Sequence, residues 1–264
     1  MLSDSPFLDI LNRGLSLWPI DISFFRNFLS ILSYYLFFEF VFFLLSIIRQ
    51  LKKMRKRKSG RSWIDRQQKD QYVESSRRSG LRSRAAYKLV QINEKYNILS
   101  KGMTVLDLGC APGSWLQIVG QRVGRNGLIV GVDLQDIQAV DGAEFIQGDF
   151  EDPTIVKQIL NVIGDRDLDL VISDMAPNLT GIRITDQAKI MSLVENVWLF
   201  SCNRLRAGGS LLLKVFEGDG IESIRSDIEG SFDQVNTIKP AASRKESREF
   251  YILGRGHIVD TRLV

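Results

Sequence analysis

Four aspartates stand where apolar runs end: Asp107 in "MTVLDLGC", Asp133 in "LIVGVDLQ", Asp149 in "AEFIQGDF" and Asp174 in "LDLVISDMAP". The loop after the first, "GCAPGSW", holds Gly109 and Gly113, which let backbone approach a ligand closely. Its spacing is not GxGxxG and no GK[ST] follows, which excludes a dinucleotide fingerprint and a P-loop. An acid at Asp107 would also repel a pyrophosphate. Asp133 follows the glycines by about twenty residues, where an acid commonly accepts hydrogen bonds from ribose hydroxyls. Asp149 is placed to take an adenine amino group, and Asp174 overlooks the same crevice. Four such carboxylates around a glycine loop describe a pocket for a nucleoside that carries a positive centre. S-adenosylmethionine is such a molecule.

Lys214 is the second kind of chemical signal. It lies inside "SLLLKVF", an apolar strand in which a merely structural lysine would be costly. Other chemistries are disfavoured. The single histidine, His257, argues against a Ser-His-Asp triad or a His-rich zinc site, and is expected at the surface after the last strand. The two cysteines, Cys110 and Cys202, form no CxxC pair, so no disulfide framework and no metal site is expected.

The elements that position these residues alternate. Strand runs fall at 103–110, 128–135, 143–150, 168–177 and 210–218, with helical spacing at 114–124, 153–164 and 185–209. A helix near 220–230 and strands near 234–239 and 249–255 complete the series. Such alternation implies a doubly wound, mostly parallel sheet, with ligands at the carboxyl ends of its strands. Ahead of it, residues 83–99 read as an amphipathic helix with Ser83 as N-cap.

Charge divides the chain. Residues 51–100 carry fifteen Lys/Arg against four Asp/Glu, a net of +11, whereas the whole chain of 264 residues is only +4. A basic arm on an acidic body points to a polyanion, either nucleic acid or an anionic membrane face. Residues 52–84 are expected to grip phosphates, with the cluster Arg55–Lys58 and the nearer Arg77, Arg78, Arg82 and Arg84 as the contacts. Before the arm, residues 28–48 are nearly all apolar, with Glu39 their only charge, and basic residues follow at once. Three readings stand: a membrane helix with the remainder in the cytoplasm, an upstream extension absent from a natural product begun at Met54, or a buried or peripheral apolar helix.

In order along the chain, "SRAAYKL", "DLGCAPGSW", "GVDL", "GDF", "SDMAPN", "LLLKVFEG" and "SRKESREFY" closely resemble the motifs of the FtsJ/RrmJ family of RNA ribose 2′-O-methyltransferases. The resemblance runs from about Ser62 to Gly254. It implies a Rossmann-like α/β fold with a seven-stranded, mostly parallel sheet and helices on both faces. It also implies S-adenosylmethionine as methyl donor and no metal. The family's Lys-Asp-Lys-Glu catalytic set falls on Lys88, Asp174, Lys214 and Glu249. Its cofactor contacts fall on Gly113, Trp115, Asp133, Asp149 and Asp174. Cys110 and Ser114 replace the alanine and glycine usual in bacterial relatives, and both replacements are small.

The implied substrate is a uridine ribose of large-subunit ribosomal RNA, the enzyme acting as a cytoplasmic monomer. A tRNA 2′-O-methyltransferase and a catalytically silent RNA-binding module are the alternatives, and a small-molecule methyltransferase on the same fold is a third. "DMAPN" lacks the aromatic of base-amine methyltransferases. The expected division is a hydrophobic extension over 1–53, a basic arm over 54–82 and a methyltransferase domain over 83–264.

Overall fold

The computed structural model describes residues 44–45, 70–244 and 246–259. The chain divides into two units, 1–67 and 68–264. Of the first, only Leu44 and Leu45 are described, both helical and exposed. The apolar stretch 28–48 otherwise lies outside the described residues, as does the cluster Arg55–Lys58. Among the described residues no helix is long and apolar enough to cross a membrane.

Among the described residues, every strand lies in the second unit. Two helices, α1 (Gln71–Arg78) and α2 (Ala86–Tyr96), lead into β1 (Thr104–Leu108) and α3 (Ser114–Val123). Then follow β2 (Leu128–Asp133), β3 (Glu144–Gln147), α4 (Pro153–Ile163), β4 (Leu168–Ser173) and α5 (Arg183–Arg204). The chain closes with β5 (Leu205–Phe216), α6 (Ile221–Ser231), β6 (Phe232–Ile238) and β7 (Glu249–His257). The strands form one seven-stranded sheet in the order β3-β2-β1-β4-β5-β7-β6. All neighbours are parallel except β7, which runs antiparallel to both β5 and β6.

The strands read as near-continuous apolar runs because both faces of the sheet are covered. Successive residues alternate between two cores. Val105, Ile129, Leu170, Leu212 and Leu253 pack with Leu89 and Ile92 of α2 and Leu116 and Val119 of α3. Leu106, Val130, Val171, Leu211 and Ile252 pack on the other face, against α4, α5 and α6. The order reverses at β1, with β2 on one side and β4 on the other, so the crevice at the carboxyl end of β1 is the topological switch point.

Local chemistry accounts for most helix ends. Asp152 caps α4 by accepting from the Thr154 amide at 2.8 Å, Pro153 opens the helix, and Gly164 closes it. The expected cap at Ser83 is not made. The N-cap of α2 is Ala85, and Ser83 Oγ accepts from the Ala85 amide and meets Ser114 Oγ at 2.8 Å. Residues 205–209, expected as the end of the long helix, already belong to β5, since Leu205 turns to an extended conformation. His257 is not a surface residue. It lies within β7, 5% exposed, with its ring 5.4 Å from that of Phe232.

Candidate active site

β1 ends in Asp107-Leu108, and the chain then turns through Gly109 to Gly113 into α3. Both glycines have left-handed φ, +78° and +95°. A Cβ on Gly109 would lie 2.3 Å from Met175 Cγ, so the loop after β4 packs directly on the loop after β1. Gly113 is the N-cap of α3, whose first amides, Ser114 and Trp115, face forward without intrahelical acceptors.

The strand-end acids surround this loop in different states. Asp133 is half-buried, accepting from the Ala111 amide and the Gln135 amide, both at 2.9 Å. A carboxylate offers about four acceptor sites, so roughly half remain for a ligand. Asp149 lies two residues past β3, is exposed, and holds its own turn by accepting from the Glu151 amide. Asp107 is fully buried, and neither carboxyl oxygen has a hydrogen-bond partner among the described residues. Burial, followed by the charges of Asp174 and Asp133, pushes its carboxyl well above the usual carboxylate range. An orphaned buried carboxyl between two further acids calls for a cationic or amino-bearing guest. That set of acceptors fits S-adenosylmethionine.

Trp115 stands in the first turn of α3. Its indole is buried, donates from Nε1 to the Ala85 carbonyl at 2.7 Å, and packs 5.9 Å from the Tyr251 ring. Any ligand contact it makes is therefore through its backbone. Cys110 is also buried, and burial with the Asp107 charge pushes its thiol pKa up, away from nucleophile chemistry.

Beside the crevice, four elements bring the expected catalytic residues together. Lys214 of β5 lies 3.2 Å from Asp174 Oδ1 and also donates to the Asp174 carbonyl. Lys88 of α2 pairs with Glu249 Oε1 at 2.8 Å and approaches Asp174 Oδ1 at 3.7 Å. The side chains of Lys88, Lys214, Asp174 and Glu249 are between 8% and 18% exposed, dry enough to strengthen the ion pairs yet open to a substrate. Tyr251 completes the set, and sequence reasoning did not single it out. It accepts from Lys88 Nζ at 3.1 Å and donates to Asp174 Oδ1 at 2.6 Å. Burial and then the Asp174 charge hold its phenol well above the usual tyrosine range, so it is a donor at neutral pH. Its signal was present: Glu249 and Tyr251 are two apart on one strand and share a face.

The basic segment is only partly free. Arg77 and Arg78 project from α1 and are exposed. Arg84, in contrast, is paired with Asp70 and donates to the Ala242 carbonyl, and Arg82 donates to three backbone carbonyls. Each of these two guanidiniums thus spends donors within the protein. Among the described residues no cluster of three or more His, Cys, Asp or Glu is arranged to hold a metal ion.

The family model for FtsJ-like methyltransferase matches residues 81–257. The chain is similar to the ribosomal RNA large subunit methyltransferase E of Cellvibrio japonicus, 44% identical over 205 residues, which cover 78% of this chain and 97% of that protein. It is similar to the protein of the same name from a Psychrobacter species, 44% identical over 194 residues, 74% of this chain and 92% of that one. A crystal structure from Plasmodium falciparum, provisionally named a ribosomal RNA methyltransferase, superposes with a TM-score of 0.59 at 27% identity, covering 67% of this chain and 98% of that one. The chain belongs to the FtsJ-like methyltransferase family, whose methyl donor is S-adenosylmethionine.

Proposed function

We propose that the protein methylates a ribose 2′-hydroxyl of large-subunit ribosomal RNA, most specifically at a uridine. The observation that carries this reading is the convergence of Lys214, Lys88 and Tyr251 on one carboxylate, Asp174, beside the crevice. The relatives named ribosomal RNA large subunit methyltransferase E supply the substrate class.

A ribose 2′-hydroxyl is a weak nucleophile, so a site must align it and ease the loss of its proton. S-adenosylmethionine, when bound, supplies a methyl group already activated on a sulfonium. Asp133 would hold its ribose, Asp149 its adenine amino group, and Gly113 with the first amides of α3 its amino-acid end. Asp107 and Asp174 would face its positive groups. Lys214 would meet the substrate hydroxyl, orienting its oxygen as an ammonium or accepting its proton as the neutral amine. Asp174 fixes the direction of the Lys214 ammonium through two contacts, one to its carboxylate and one to its carbonyl. Lys88, held by Glu249 and Tyr251, would position the ribose. The basic arm would add phosphate contacts.

The test uses large ribosomal subunits lacking the modification, with methyl-labelled donor. Methylation at the 2′-oxygen makes the adjacent phosphodiester resistant to alkali, so label should appear in an alkali-resistant dinucleotide of the large-subunit RNA. Label in a free base, in tRNA only, or nowhere would overturn the proposal, the last outcome leaving an RNA-binding module.

A further inference from the structure

Arg82 lies in the segment between α1 and α2, well outside the catalytic set. Its guanidinium donates from Nη1 to the Pro112 carbonyl at 3.0 Å and to the Gln138 carbonyl at 2.6 Å, and from Nη2 to the Ala139 carbonyl at 2.6 Å. Pro112 belongs to the loop after β1, and Gln138 and Ala139 belong to the loop after β2. These are the two walls of the crevice. Asp133 joins them once more through the Ala111 amide. A Cβ on Gly113 would lie 2.5 Å from Arg82 Nη1, so the glycine leaves the space that the guanidinium fills.

The segment itself is fastened on the same side. The Arg82 amide donates to Gln117 Oε1 at 2.9 Å, and Gln117 Nε2 donates to the Gly80 carbonyl. Ser83 meets Ser114, and Trp115 reaches the Ala85 carbonyl. Residues 80–85 therefore form a strap across the start of α3. A planar guanidinium with five donors can span three carbonyls from two loops, whereas an ammonium on a flexible stem cannot hold that fork.

We propose that Arg82 is a positioning residue for the cofactor: its guanidinium sets the spacing between the two loops that flank S-adenosylmethionine. The proposal rests on the methyltransferase reading of the crevice. It separates Arg82 from the exposed arginines of α1, because loss of Arg82 weakens the cofactor site and leaves the RNA site intact.

The experiment measures S-adenosylhomocysteine affinity by calorimetry, without RNA, for the full chain and its Arg82→Ala and Arg82→Lys variants. Binding by the unsubstituted protein tests the methyltransferase reading by itself, and its failure would be seen there first. Arg82→Ala should bind at least about tenfold more weakly, since bonds of this kind are each worth a few-fold to tenfold. Arg82→Lys should recover only part of the loss. Millimolar methylguanidinium should restore affinity to Arg82→Ala and leave the unsubstituted protein unchanged, which a general loss of stability would not show. At saturating cofactor, the turnover number and the KM for RNA should stay within about threefold of the original. Unchanged affinity in either folded variant would overturn the proposal. So would a rise in the KM for RNA with cofactor affinity intact, which would make Arg82 a phosphate contact. Should Arg82→Ala fail to fold, Arg82→Lys decides: affinity equal to the unsubstituted protein rejects the strut.

Discussion

Lys214 and Tyr251 stand directly opposite each other in the antiparallel pairing of β5 with β7, and both side chains end on Asp174 Oδ1. Opposite residues in such a pair share a face of the sheet, so one register fixes both groups against one oxygen. The phenol also accepts from Lys88. Tyr251→Phe removes a donor to a carboxylate and an acceptor for an ammonium while keeping the ring against Trp115. Bonds to charged groups are worth about 1.5–3 kcal/mol, so turnover should fall roughly 10- to 100-fold. Cofactor affinity should stay within about threefold. Steady-state kinetics beside calorimetry checks this, and normal turnover would remove Tyr251 from the machinery.

Lys214→Ala should abolish methyl transfer while cofactor binding changes by no more than a few-fold. The lysine is the group of the set held by both the carboxylate and the carbonyl of Asp174. Lys88→Ala should be milder for the chemistry but costly for folding, because Glu249 would be left without its 2.8 Å partner in a mostly buried site. A single-turnover assay with bound RNA separates the two: near-normal chemistry by Lys214→Ala would contradict its central place.

Much of this was legible from residue patterns because both faces of the sheet are covered, so each strand shows as an apolar run ending in a polar residue. Asp133 and Asp174 could be placed by that rule alone, and the family motifs added Lys88 and Glu249. Three features were hidden for physical reasons. Helix α1, "QYVESSRR", buries only Ser76, so it lacks the apolar stripe that marks a helix. Ser83 has cap chemistry but spends its hydroxyl on Ser114, a residue 31 positions away. Arg82 looks like one more phosphate-binding arginine, since nothing local indicates three carbonyls from loops that begin some thirty residues later.

Asp107 makes stability depend on pH. Its carboxyl has an ordinary value of 3.8 and is raised well above that when folded, by burial first and by Asp174 and Asp133 next. Cys110, in the loop that follows β1, feels the Asp107 charge in turn. Below 3.8 both states are protonated and the contribution to stability is complete. As pH rises the unfolded chain ionises first, so stability falls until the folded carboxyl ionises too, with a slope of up to about 1.4 kcal/mol per pH unit. Asp107→Asn removes the titration. Urea unfolding across pH 4–8 should show a flatter profile for the variant, with a relative gain towards neutral pH. The same variant should bind the cationic cofactor about tenfold more weakly, because the carboxyl can no longer become an anion. Parallel pH profiles would show that Asp107 does not titrate in this window.

Asp133→Ala should weaken cofactor binding by about 1–3 kcal/mol, through the lost ribose contact and the lost tie to the Ala111 amide. Asp133→Asn keeps an acceptor at one position and should recover part of the affinity. Calorimetry on both gives the answer, and unchanged affinity would show that the end of β2 does not face the ribose.

The last prediction concerns the basic segment. If it grips RNA, binding should weaken steeply with salt, with a log–log slope of about −0.7 to −0.9 per phosphate neutralised. Arg77 and Arg78 are exposed on α1, and among the described residues Arg78 pairs with Glu74 one turn away, an interaction worth little at a surface. Replacing both by serine should flatten the slope by one to two phosphates' worth and raise the KM for RNA, leaving cofactor affinity alone, because phosphate contacts position a substrate without touching the donor site. Replacing Arg55, Lys56, Arg57 and Lys58 by serine should act in the same direction. Arg84 should behave differently. Its guanidinium is tied to Asp70 and to the Ala242 carbonyl, so Arg84→Ser should lower the unfolding midpoint and leave the salt slope unchanged. Filter binding of RNA across a salt series measures all three. A slope that shifts with Arg84→Ser and not with the Arg77 and Arg78 pair would place the RNA on the other side of α1.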